Sequence, residues 1–147
     1  MRRMSVFFAA MAVLAATTAG LAGARTTHEK VQLRQTSVGK ILVNGRGFTV
    51  YAFTRDSRNK DTCQQLSGCT GVWPPLTSSS KASAGPGVKS SLIGSITLRN
   101  GAKQVTYAGH PLYTYVGDSG PAQTRYVNFS AFGGRWPALN ASGREVK

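Results

Sequence analysis

Carboxylates are scarce in this chain: five Asp and Glu stand against 18 Lys and Arg, for a formal net charge of +13. So one-sided a balance favours polyanionic partners such as nucleic acid, anionic lipid headgroups or acidic envelope polymers. The cations are scattered without a dense tract, which argues against a specific nucleic-acid interface and for a generally cationic surface. Cysteine is nearly absent. Cys63 and Cys69 are the only two, their spacing is neither C-x-x-C nor C-x-x-C-H, and only His28 and His110 could add imidazole ligands. From so thin a ligand set no metal site and no cofactor is expected. A long apolar run is missing too: residues 6–16 are too short for a bilayer core, which takes about 20 residues. Charged residues amount to 16% against 41% hydrophobic, with 17 Gly and 6 Pro. The chain is thus too apolar for disorder and too rich in turn formers for a helix bundle.

What the amino terminus does carry has the form of an export signal. Met1-Arg2-Arg3 is a cationic start, residues 6–16 an apolar stretch, and Ala22-Gly23-Ala24 a small-x-small cleavage pattern. Residues 1–24 therefore read as a signal peptide cleaved after Ala24, leaving a soluble periplasmic or extracellular protein without a transmembrane segment. Cleavage removes Arg2 and Arg3 and lowers the +13 only to +11. No cysteine lies at the cleavage point, so no lipid anchor is expected.

Residues 25–36 are polar and basic with no sustained period, which predicts a flexible lead-in. Residues 37–147 are expected to form one small, mainly β domain. Residues 41–43 and 48–53 flank Asn44-Gly45-Arg46-Gly47 as a hairpin would. Residues 93–98, 104–107 and 112–116 read as a three-stranded meander, broken at Asn100-Gly101 and at Ala108-Gly109-His110-Pro111. Between them, residues 77–91 hold six Ser, two Gly and one Pro and predict a surface loop that buries almost nothing.

The two halves are related. Tyr51-Ala52-Phe53-Thr54-Arg55-Asp56 aligns with Tyr113-Thr114-Tyr115-Val116-Gly117-Asp118 at an offset of 62 residues, and Gly47 meets Gly109 in the same register. Trp73-Pro74-Pro75-Leu76 aligns with Trp136-Pro137-Ala138-Leu139 at an offset of 63. Matches that include rare aromatics point to a tandem duplication, with units at about 37–76 and 93–139. Two units are too few for an open solenoid, so they should pack face to face or share a sheet.

The Y-x-[FWY]-x-x-D motif occurs twice, Cys63 and Cys69 precede Trp73-Pro74-Pro75, and residues 103–113 read KQVTYAGHPLY. On these strings the chain resembles the bacterial secreted-repeat family of predicted lipoproteins that carry this motif. The resemblance runs from about residue 37 to the carboxyl terminus. It implies export and a duplicated β-rich unit, in a family without a settled activity. This chain departs from the lipoprotein members in lacking the anchoring cysteine.

Tyr51 and Phe53, like Tyr113 and Tyr115, are two apart, so on a strand each pair projects from one face as an aromatic platform. Asp56 and Asp118 could present carboxylates beside those platforms for a sugar, a cation or acid/base chemistry. The alternative is that the rings are core and each Asp holds its own turn by accepting backbone N–H bonds, and repetition in both halves favours it. Cys63 and Cys69, in an exported chain, are expected to form a disulfide worth about 2 kcal/mol in the chain-entropy model. His110 should sit exposed at a turn, and no nucleophile-elbow pattern surrounds Ser119 or Asp118. His110, Trp73 and Trp136 are further candidates for ligand contact, although the tryptophans read most simply as core anchors. The expectation is a non-enzymatic envelope module that binds an anionic polymer or a partner protein. A periplasmic redox or metal-binding protein using Cys63, Cys69 and His110 is the rival, and an enzyme with paired Asp56 and Asp118 comes third.

Overall fold

The structure is a computed structural model, and it describes residues 27–147. The export segment and its cleavage point lie outside the described residues. Strand β1 (Lys30–Thr36) pairs antiparallel with β2 (Gly39–Val43), and the short β3 (Ser83–Ala84) adds to β1 in parallel. In the turn between β1 and β2, the Thr36 hydroxyl donates to Gly39 O at 2.7 Å and Gly39 takes a φ of 106°, a conformation open to glycine without a Cβ penalty. The second half builds β4 (Ile93–Thr97), β5 (Lys103–Tyr107) and β6 (His110–Pro111) into an antiparallel meander. Its tight turn has positive φ at both Ala108 and Gly109, as a two-residue hairpin turn requires. β7 (Phe129–Ala131) and β8 (Gly134–Trp136) close the chain as a two-stranded ribbon. The protein is mainly β, is built of two repeats, and carries one disulfide, Cys63–Cys69.

Three expectations need correction. The lead-in is not flexible from residue 30 onward, because β1 is hydrogen-bonded along both edges. Only Val31 of that strand is fully buried, so the hydrophobic period is too sparse to betray it. The strand that pairs with β2 in its hairpin is β1 rather than residues 48–53, which touch residues 42–44 and then run across to the other repeat. The Ser/Gly-rich loop is not inert either: it carries β3 and buries Ser78 and Ala82. Small residues make that approach feasible, since a Cβ on Gly85 would lie 3.1 Å from Gln32 and 3.3 Å from Val31 O.

The halves neither stack nor share a continuous sheet; they exchange strands about a local two-fold relation. Tyr51 N–H donates to Tyr113 O at 2.8 Å and Tyr113 N–H to Tyr51 O at 2.9 Å. Around this reciprocal pair, bonds from one half are matched by bonds from the other. Leu42 N–H reaches Leu139 O and Val105 N–H reaches Leu76 O, both at 2.8 Å. Ala52 N–H reaches Pro137 O at 2.9 Å, and Thr114 N–H reaches Pro74 O at 3.0 Å. The Trp-Pro segment that ends each repeat is therefore held by the other repeat. A core of Val31, Leu42, Val50, Leu76, Val105, Leu112 and Leu139, drawn from both halves, fills one side. The aromatic residues gather in a second cluster around the disulfide.

Candidate functional site

The duplicated motif lies at the centre of that second cluster. The Trp73 and Trp136 rings stack at 4.1 Å and 2°, Phe53 lies flat on Trp136 at 4.1 Å, and Tyr115 covers Trp73 at 4.4 Å. Tyr51 meets Trp73 and Tyr113 meets Trp136 edge-on, each at 5.1 Å. Two-residue spacing does bring each pair of rings to one face, but that face is interior. Tyr51, Phe53, Trp73, Tyr113 and Trp136 are all buried, so neither tryptophan is open to a ligand and these rings form core rather than a surface platform.

The carboxylates cross between repeats. Tyr51 donates its hydroxyl to Asp118 Oδ2 at 2.9 Å, and Tyr113 donates to Asp56 Oδ2 at 2.8 Å. Asp56 also accepts the Thr62 N–H at 2.7 Å on Oδ1, closing the chain segment that leads into the disulfide. Among the described residues Asp118 accepts no backbone N–H, so none of them makes it a turn cap. Burial, with the facing carboxylate second, pushes both phenols well above the usual tyrosine range, so each remains a donor. Burial also raises Asp56 from 3.8 to about 6, against the lowering effect of its Thr62 and Tyr113 hydrogen bonds. Asp118 is raised by burial as well, with Tyr51 opposing.

These shifts predict a pH dependence. A carboxyl raised on folding holds a proton that the unfolded chain has released, so its contribution is complete below about pH 4 and is lost as pH climbs through about 6. The melting temperature should accordingly be higher near pH 5 than near pH 7.5. Asp56→Asn, neutral at every pH, should flatten that difference; an unchanged profile in the variant would remove Asp56 as its source.

Cys63 and Cys69 are bonded to one another and buried, with Cys63 Sγ 4.0 Å from Trp73 O. The disulfide loop roofs the aromatic cluster on one side. In the other half Tyr126, Val127, Ala131 and Phe132 take that place without a cysteine. His110 is half-buried on β6, opposite Tyr107, and not at an exposed turn tip. Among the described residues no group of three or more His, Cys, Asp or Glu could hold a metal ion.

A family model described as a secreted repeat of unknown function matches residues 32–77 and 94–140, more than half of the chain. The chain belongs to that family. No curated protein and no solved structure matches it. The two secreted-repeat segments coincide with the two strand-exchanging halves. The family is described as secreted, which agrees with the export expected from residues 1–24. Among the described residues of this secreted repeat, no helix is long and apolar enough to cross a membrane.

One surface feature escaped the sequence. A cleft of about 480 Å³ opens beside the second copy of the motif, with Glu29, Arg46, Phe48, Tyr115, Val116 and Asp118 in its wall. Arg46 lies over the Phe48 ring at 5.0 Å. Glu29 is held by accepting the Lys30 and Gly45 N–H groups at 2.9 and 2.8 Å. Glu29 and Arg46 fell in segments read as lead-in and turn, and no local signal joins them to Asp118.

Proposed function

We propose that this secreted repeat is a non-enzymatic module of the cell envelope, working outside the cytoplasm after cleavage at Ala24 and held to anionic envelope polymers by its surface charge. One observation carries the reading: four of the five carboxylates are engaged by hydrogen-bond donors other than Lys or Arg side chains. Asp56 and Asp118 serve tyrosines, Asp61 accepts the Gln64 N–H, and Glu29 accepts two backbone N–H groups. Arg135–Glu145 is the one ion pair among the described residues. The lysines and arginines thus present their charge outward almost without compensation. The motif that suggested catalysis is engaged in packing, which supports the non-enzymatic part of the reading.

The test is retention of the processed protein on an immobilised acidic polysaccharide. At about 20 mM salt it should bind, and it should elute as salt approaches about 0.5 M, where the screening length shortens to a few ångströms. Flow-through at about 0.1 M salt would overturn the reading.

A further inference from the structure

The two copies of the motif are alike except in what completes the carboxylate. Asp56 has donors on both oxygens, the Tyr113 hydroxyl on Oδ2 and the Thr62 amide N–H on Oδ1. Asp118 has the equivalent tyrosine on Oδ2, but its Oδ1 is screened from solvent and accepts nothing from the described residues. The second half has no disulfide. A screened carboxylate oxygen without a donor is costly unless a partner arrives. Asp118 itself lies in the wall of the cleft.

We infer that the cleft is a carbohydrate site for a neutral, N-acetylated glycan segment, an inference that rests on the envelope reading above. The N-acetyl amide N–H supplies to Asp118 what Thr62 supplies to Asp56. Sugar hydroxyls donate to the second oxygen of Glu29 and accept from Arg46; among the described residues that oxygen has no hydrogen bond and Arg46 is in no ion pair. Val116, 61% exposed, offers an apolar surface to the C–H face of a pyranose. A volume of about 480 Å³ accommodates more than one sugar ring. Two of the five carboxylates of a strongly basic chain meet here, so the cleft disfavours the anionic groups that the rest of the surface attracts.

The experiment titrates the processed protein with tri-N-acetylchitotriose and with maltotriose by calorimetry at about 0.5 M salt, where exposed charge is screened. The N-acetylated trisaccharide should bind and maltotriose should not. Arg46→Ala and Val116→Asp should each weaken binding by about tenfold or more, as loss of a charged hydrogen bond or of the apolar floor predicts. Their denaturant midpoints should stay close to wild type, since both side chains face solvent, and Arg144→Ala should bind like wild type. No heat with tri-N-acetylchitotriose, or equal affinity in both cleft variants, overturns the inference. If the protein meanwhile still binds the acidic polysaccharide at low salt, the envelope reading stands and the site alone is wrong; loss of that retention overturns the envelope reading by itself.

Discussion

Replacing Trp136 with alanine should lower the stability of the protein by about 4 kcal/mol, the range found when large buried aromatics are truncated. Trp136 is fully buried, lies between Phe53 and Trp73 at 4.1 Å on either side, and takes the Tyr113 ring edge-on. Its removal leaves a cavity at the centre of the cluster that neither neighbouring ring can fill without abandoning its own contacts. Since domains of this size are stable by only about 5–15 kcal/mol, much of the protein should unfold at moderate urea. The Trp73→Phe and Trp136→Phe variants should separate stacking from hydrogen bonding. Trp136 Nε1 donates to Ala131 O at 3.2 Å, whereas Trp73 Nε1 has no partner among the described residues, so Trp73→Phe should be the milder change. Phe129→Ala, at a side chain 46% exposed, should shift stability by no more than about 0.5 kcal/mol. Urea midpoints on the four variants check the series. A cost below about 1 kcal/mol for Trp136→Ala would mean that the ring stack is not the support described.

Cutting the chain within residues 86–89 should abolish folding of both halves when each is alone. A first half without residues 135–139 leaves Leu42, Ala52 and Thr54 N–H groups unpaired and the Leu139 position in the core open. A second half without residues 73–76 suffers the same at Val105 and Thr114. Each fragment would keep one tryptophan of a stack that needs two. Mixed in equal amounts, the fragments should recover the circular dichroism and tryptophan fluorescence of the intact chain. Cooperative unfolding of either fragment alone would contradict strand exchange.

Much of the β architecture was legible because turn chemistry is local. Asn100-Gly101 and Ala108-Gly109 mark the meander without reference to the rest of the chain, and the aromatic register exposed the duplication. β1 was not legible, since a strand held mainly by backbone hydrogen bonds needs no apolar alternation beyond Val31. Strand exchange was hidden for a different reason. The offset places Tyr51 with Tyr113 and Asp56 with Asp118, but it is silent on whether a tyrosine bonds to the aspartate of its own repeat or of the other. The cleft was least accessible to sequence reasoning: Glu29, Arg46 and Asp118 are joined only by the folded backbone, and their types carry no spacing signature.

Strand exchange also bears on where such a protein can work. A single unit with these contacts could complete itself only by meeting a second copy, an encounter that weakens with every dilution. Joining both units through residues 77–91 makes the encounter intramolecular, at an effective concentration on the order of millimolar. The duplicated protein therefore stays assembled however dilute it becomes, and each unit is free to change independently. One carries a disulfide, and the other has the Asp118 carboxylate, one oxygen of it without a donor among the described residues, in the wall of a cleft.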